Sequence, residues 1–315
     1  MSLNFKIFTG NANNDLANDV AEITGVPLGN AEVFKFSNDN SFVKINDSVR
    51  GAEAYIIQPT CKPVNDNLME LLIMIDALRR ASAQKIICVI PHFGYARSDK
   101  KDQHGIAISA KLVANLLTTA GASRIVTMDL HSDQIQGFFD IPVDHLFSTP
   151  IFASYFKDNL DLAEVMVVSP DTGGTARARS LAKRLNCNIA VGDKRRTGND
   201  NNAEIMNIVG EVENKICILF DDIIDTAGSL CKMAEGLKKN GAKKVYAAAA
   251  HGVLSGKAIE RIEKSSIEKL FITDSIPFSE EKKKCNKIVS LSIAELLAAA
   301  IKKIHLEESL SVLFK

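Results

Sequence analysis

Short apolar runs recur along the chain, and each stops abruptly in polar or glycine-rich residues. Seven of them, at residues 54–60, 85–91, 124–130, 165–170, 215–221, 244–250 and 269–274, are continuously hydrophobic rather than alternating. Unbroken hydrophobicity at this length marks strands buried on both faces, as in parallel sheets. Between the runs, apolar residues recur at helical spacing over 67–81, 107–120, 176–185 and 229–240. Gly121 and Gly241 sit where a helix C-terminal glycine belongs, each just ahead of a strand that opens on Arg or Lys. Strand and helix alternate throughout, so the pattern predicts an α/β protein whose mostly parallel sheets are flanked by helices.

Pro142 and Pro150 interrupt the pattern between the third and fourth runs. A boundary there predicts two similar domains, 1–148 and 149–315, with the last helix free to pack back on the first. A length of 315 residues suits that division, and 46% apolar residues give each half a core. Lys+Arg and Asp+Glu balance at 38 each, which removes any global pull toward nucleic acid or membrane and makes an anion site a local matter. No apolar stretch approaches the roughly 18 residues of a membrane-spanning helix, and residues 1–6 do not open a signal peptide. The expectation is a cytoplasmic protein without nucleic-acid or membrane partners. Six cysteines lie scattered with no CxxC pair, as reduced, packed thiols would.

Ligands of doubly wound sheets bind beyond the carboxyl ends of the strands, so the residues after each run carry the chemistry. The most informative stretch is 218–229, where a buried strand emerges into Asp221 and Asp222, then Asp225-Thr226-Ala227-Gly228-Ser229. Main-chain N–H groups at such a small-residue turn, the Thr226 and Ser229 hydroxyls and a helix start together make an anion cradle. Nothing here matches the lysine-bearing phosphate loop of nucleoside triphosphatases, so a phosphate monoester suits it better than a triphosphate. Asp221 and Asp222 can accept from sugar hydroxyls or hold a hard cation. Read as mere solvated residues before a helix cap, two carboxylates ending a buried strand would be costly without partners.

These residues resemble the phosphoribosyl-binding signature shared by type I phosphoribosyltransferases and ribose-phosphate diphosphokinases, and alone they do not choose between the two. The other strand ends resemble the diphosphokinases. They are Pro-His-Phe-Gly-Tyr-Ala-Arg-Ser-Asp at 91–99, Asp-Leu-His-Ser at 129–132, Asn-Asp-Asn-Leu-Met-Glu-Leu at 65–71, Ser-Pro-Asp-Thr-Gly-Gly at 169–174 and Asp-Lys-Arg-Arg at 193–196. The likeness runs nearly end to end. It implies two phosphoribosyltransferase-type domains and transfer of the diphosphate of ATP to O1 of ribose 5-phosphate, with Mg²⁺. It also implies a homo-oligomer, a hexamer built from dimers. By resemblance, Phe36, Asn38, Asp39, Asn40, Arg97 and Ser98 bind ATP. Arg196, Asp221, Asp222 and Asp225 to Ser229 (Thr226, Ala227 and Gly228 included) bind ribose 5-phosphate. His131 and Asp171 are metal-site residues, and Lys194 and Arg196 are catalytic residues of a flap continued by the polar stretch 197–202. Without the family, Lys194 to Arg196 after a short strand at 188–191 would read as a solvated basic loop.

Two departures from the family stand out. Its adenine segment usually reads Phe-Ser-Asp-Gly-Glu, whereas here it is Phe36-Ser37-Asn38-Asp39-Asn40, and Ser98 replaces a glutamine. Asn38 and Asn40 keep carbonyl acceptors without the charge. The second is Lys100-Lys101-Asp102-Gln103-His104-Gly105, where many bacterial relatives carry arginines of an inter-subunit site for phosphate activation. Ser48, Arg50, Ser82, Ser309 and Ser311 still match that site, so the resemblance implies phosphate as an activator, weakened by lost bidentate donors. A catalytically quiet regulatory paralogue and a phosphoribosyltransferase are the rival readings.

Overall fold

A computed structural model describes residues 5–196 and 204–314, which fall into two compact units. The first runs to Phe147 and takes up Ser275–Pro277 and the chain from Ser292 onward; the second comprises Ser148–Asp274 and Phe278–Leu291.

The first unit is built on a five-stranded sheet of β1 (Phe5–Thr9), β4 (Glu53–Ile57), β5 (Lys85–Ile90), β6 (Arg124–Met128) and β7 (Val143–Leu146), in that order and parallel throughout. Ala54, Ile56, Ile86, Cys88 and Ile90 pack with α2 (Val64–Arg80) and α3 (Ser109–Ala120) in one apolar cluster. Their alternates Tyr55, Ile57, Ile87 and Val89 are equally buried but outside that cluster, so both faces of the sheet are covered. On the second face the Phe5 ring meets Tyr55 and His305, the latter from α9 (Ala294–His305). Lys302 of the same helix donates to the carbonyl of Ile23 in α1 (Asn14–Thr24). A separate hairpin, β2 (Ala31–Lys35) and β3 (Ser41–Ile45), sits outside the sheet.

The loops at the carboxyl ends of β1 and β4 are tied together by Glu70 of α2, a buried carboxylate. It accepts from the Asn11 main chain at 2.6 Å, the Asn11 amide at 2.7 Å and the Gln58 amide at 2.8 Å. Gly10 is glycine because a Cβ there would lie 2.3 Å from Glu70 Oε1.

The second unit has a seven-stranded sheet ordered β10-β9-β8-β11-β12-β13-β14. Its members are β8 (Val165–Ser169), β9 (Asn188–Arg196), β10 (Glu204–Val209), β11 (Ile216–Ile224), β12 (Lys244–Gly252), β13 (Lys269–Thr273) and β14 (Ile288–Leu291). Every pair is parallel except β9–β10. Along β11, Ile216, Ile218 and Phe220 pack with α4 (Thr149–Asn159) and α5 (Thr175–Leu185). Cys217 and Leu219 pack instead with α6 (Gly228–Lys239) and α7 (Ala258–Lys264). From β8 the chain winds outward through α5 to β9, and from β11 it winds the other way through α6 to β12. The strand order therefore reverses between β8 and β11, the place where such sheets open a crevice.

The seven predicted strands and four predicted helices are all present, and Gly121 and Gly241 end their helices with φ of 124° and 82°. Of the six cysteines, none is bonded to another and five are buried. One difference concerns 188–191: β9 continues through the basic cluster to Arg196 and pairs with β10, so Lys194 and Arg196 lie on a hairpin strand, not in a loop.

Replacing Glu70 with Ala strands the Asn11 and Gln58 donors. It is expected to cost about 2–4 kcal/mol, with Glu70→Gln losing less. Thermal unfolding reads the loss, and hydrogen exchange should localise it to residues 10–12 and 58; uniform loosening of the unit would contradict the assignment.

Candidate active site

β11 is longer than the neighbour it pairs with. Its ladder with β8 ends at Leu219↔Val168, while its ladder with β12 continues to Ile224↔Gly252. Asp221 and Asp222 thus lie within the strand, beyond the last β8 partner, on the side facing the loop that leads to α5. Arg177, in the first turn of α5, reaches both carboxylates, at 3.1 Å to Asp222 and 3.8 Å to Asp221. Asp222 is the more deeply buried of the two, and the nearer cation answers its desolvation. Asp221 is pushed up to about 7, by burial first and then by the neighbouring Asp222 side chain, against the weaker pull of Arg177. Sequence reasoning gave Arg177 no role, although two adjacent buried carboxylates require a cation; what it could not supply was which of many basic residues.

The chain then turns through Asp225 and Thr226 into α6. Ala227, at the N-cap, has φ of 58°, a left-handed conformation that costs a residue with a Cβ of order 1 kcal/mol or more. No side chain caps α6. Among the described residues, the main-chain N–H groups from Thr226 to Leu230 and the Thr226 and Ser229 hydroxyls have no protein acceptor. Five such donors at a helix start are chemically suited to an anion, and they overlap the stretch Asp225 to Ser229 singled out in the sequence. The second neighbour is the loop after β8. There Asp171 is exposed, with Oδ1 accepting from Gly174 N–H at 3.0 Å.

In the first unit, Phe36 to Asn40 form the turn of the β2–β3 hairpin, a pair of half-buried strands absent from the apolar-run reading. Asn40 and Phe36 close it through a 2.9 Å main-chain bond, Asn38 Oδ1 accepts from Asn40 N–H, and Asp39 takes φ of 64°. Asp39 thus holds the left-handed position that glycine fills without strain. Phe36 is half-exposed and packs edge-on with Phe34 and Phe42, which makes an aromatic platform at the hairpin. The hairpin is tied to α2 by Lys35–Asp66 at 2.6 Å.

Arg97 and Ser98 follow β5 in a loop docked on the end of β4, with Gly94 N–H donating to Thr60 Oγ1 at 2.6 Å. A Cβ on Gly94 would lie 2.5 Å from the Thr60 carbonyl oxygen. Tyr95, at φ of 65°, hydrogen-bonds Asn65 through its hydroxyl. His131 is exposed after β6; its loop is held by buried His145, whose Nε2 accepts from Leu130 N–H at 2.8 Å.

Ser48, Arg50 and Ser82 lie at the opposite, amino-terminal edge of the first sheet, where Gly51 N–H donates to the Ser82 carbonyl. Ser309 and Ser311 pair near the chain end in the same unit. The main chain of Lys194 and Arg196 is in β9; their side chains, and the stretch 197–202, lie outside what the structure describes. Among the described residues no group of three His, Cys, Asp or Glu side chains gathers for a metal. A magnesium ion carried on nucleotide phosphates needs only one or two protein carboxylates, and exposed Asp171 is chemically suited to that.

Both units are α/β folds on parallel or mostly parallel sheets flanked by helices, which sets the class. Residues 5–121 match the family model "N-terminal domain of ribose phosphate pyrophosphokinase", and 200–315 match "Phosphoribosyl synthetase-associated domain". A ribose-phosphate pyrophosphokinase of Burkholderia pseudomallei is 53% identical over 98% of this chain and 96% of its own length. One from Clostridium perfringens is 54% identical over 100% and 98%. The crystal structure of phosphoribosylpyrophosphate synthetase from Mycobacterium smegmatis superposes with a TM-score of 0.91 at 40% identity, covering 96% of this chain and 99% of that one. The chain belongs to the ribose-phosphate pyrophosphokinase family.

A carboxyl with a raised pKa takes up its proton in the folded protein before the unfolded chain does. Asp221 therefore favours the fold as pH falls from about 7 toward the ordinary value near 4, and opposes it above. With Asp222→Asn, carbon-13 NMR should show Asp221 titrating closer to the ordinary range. A midpoint unchanged at about 7 would mean that burial alone sets it.

Proposed function

We propose that the protein is a ribose-phosphate diphosphokinase that converts ATP and ribose 5-phosphate into 5-phosphoribosyl 1-diphosphate and AMP. The observation that carries this is the end-to-end likeness to ribose-phosphate pyrophosphokinases, which decides between the two groups that the pairing of a five-amide cradle with two adjacent carboxylates leaves open. In the proposed reaction, O1 of the sugar attacks the β-phosphorus of ATP. The O1–Pβ bond forms, the bond from Pβ to the oxygen bridging the α-phosphorus breaks, and the electron pair leaves with AMP. The O1 proton passes to solvent or a nearby base. Such transfers depend on positioning and on neutralising oxygen charge.

Asp225 to Ser229 hold the 5-phosphate, and Asp221 and Asp222 accept from the ribose hydroxyls. Phe36 stacks on the base while Asn38, Asp39, Asn40, Arg97 and Ser98 complete the ATP contacts. Lys194 and Arg196 neutralise the transferring diphosphate. His131 of the first unit and Asp171 of the second are the residues that would contact magnesium, which would supply charge neutralisation on the phosphates. Imidazole is an uncommon magnesium ligand, so His131 would act in part by orienting water or phosphate. A homo-oligomer, hexameric by family, fits the exposed Leu112 and Leu116 on α3. No described helix is long and apolar enough to cross a membrane; the biosynthetic role proposed here places the protein in the cytoplasm.

Phosphorus NMR of purified protein with ribose 5-phosphate, ATP, Mg²⁺ and phosphate should show AMP and 5-phosphoribosyl 1-diphosphate. Lys194→Ala should reduce the rate by at least about a hundredfold, as loss of a transition-state charge contact does. Product formed with GTP or CTP but not ATP would redirect the base specificity, and silence with all three would favour a regulatory paralogue. Phosphate activation should be half-maximal at a higher concentration than in an arginine-bearing relative, because Lys100 and Lys101 cannot bind in bidentate fashion. An unchanged midpoint would remove that reading.

A further inference from the structure

The loop that holds the phosphate is strained, and something must keep it so. Three successive carbonyls leading into it are pinned from one side. The Ile224 carbonyl accepts from Leu254 N–H at 3.0 Å, and that of Asp225 from Ser255 N–H at 3.0 Å. The Thr226 carbonyl accepts from Arg261 Nη1 at 2.7 Å. Ser255 also hydrogen-bonds the Asp225 carboxylate through its hydroxyl. All three donors come from the connection between β12 and α7 or from α7 itself, and none belongs to the cradle.

A trans peptide is planar, with its C=O and N–H on opposite edges. Holding the Thr226 carbonyl at Arg261 therefore turns the Ala227 N–H directly away from Arg261. Ala227 has φ of 58°, so rotating the Thr226–Ala227 peptide by half a turn would relieve its left-handed strain. The same rotation would put a carbonyl oxygen where an amide donor now points, which repels an anion. The donor is charged, and a charge-assisted hydrogen bond is stronger than a neutral one, so it can oppose the strain at Ala227.

We propose that Arg261 is a positioning residue for the phosphate loop: it holds the Thr226–Ala227 peptide with its N–H toward the bound monoester phosphate and against the relaxation of Ala227. The inference rests on the reading of this loop as the ribose 5-phosphate site. Arg261 does not itself need to touch the substrate.

The test compares Arg261→Met, which keeps the aliphatic stem, with Arg261→Lys, which keeps a cationic donor, in the full-length protein. Calorimetric titration with ribose 5-phosphate should weaken roughly tenfold in Arg261→Met, the equivalent of about 1.4 kcal/mol, with Arg261→Lys in between. KM for ATP should stay within about twofold. Adding Ala227→Gly to Arg261→Met should restore most of the affinity, because glycine carries no left-handed penalty; a loss of charge alone would not be rescued this way. A crystal structure of Arg261→Met should show the peptide rotated. An unrotated peptide, unchanged affinity or absence of rescue would each overturn the proposal. If wild-type protein fails to bind ribose 5-phosphate, the substrate reading falls, and the peptide orientation in the Arg261→Met crystal still decides the role of Arg261.

Discussion

A parallel sheet need not end its strands at one level, and the second unit depends on one such mismatch. Past Leu219, β11 keeps its ladder with β12 but has no β8 beside it. Asp221 and Asp222 are thereby held by a rigid strand on one side and left open on the other. The reversal of strand order at the same place sends α5 and α6 to opposite faces, so Arg177 at the start of one and the free amides at the start of the other both border the gap. Anion-attracting and cation-attracting groups can then lie side by side without neutralising each other.

The two units manage buried carboxylates differently. Glu70 in the first is satisfied by neutral N–H donors from Asn11 and Gln58, and it serves to fix loop geometry. The Asp221–Asp222 pair is reached by the Arg177 guanidinium, and Asp221, buried beside a second carboxyl, has a raised pKa. A carboxylate satisfied by neutral donors fixes structure, whereas one whose pKa is perturbed at the edge of a crevice is a candidate functional group.

The buried strands were legible in the sequence because burial on both faces writes an unbroken apolar run, as over 215–221 and 244–250. The turn into α6 was legible because small residues and hydroxyls between a buried strand and a helix have few other uses. The hairpin carrying Phe36 was not, since no residue of β2 or β3 is fully buried and both lack the apolar run that marks a core strand. The end of β9 was missed as well, since its last residues are charged and lack an apolar run, while their main chain is extended and paired with β10. Arg177, Arg261 and His145 escaped notice for a common reason. Each acts on a segment remote in the chain, and nothing local distinguishes it from a solvated or core residue.

The return of α9 to the first unit has a consequence for how the protein is made. The second unit is an insertion, completed by Leu291, whereas the first still lacks the helix that brings His305 to Phe5. On a ribosome the later-encoded unit can therefore finish folding while the earlier one waits with part of its sheet uncovered. Order of synthesis and order of completion are inverted. In that interval the rings of Phe5 and Tyr55 would be the surface most in need of a chaperone.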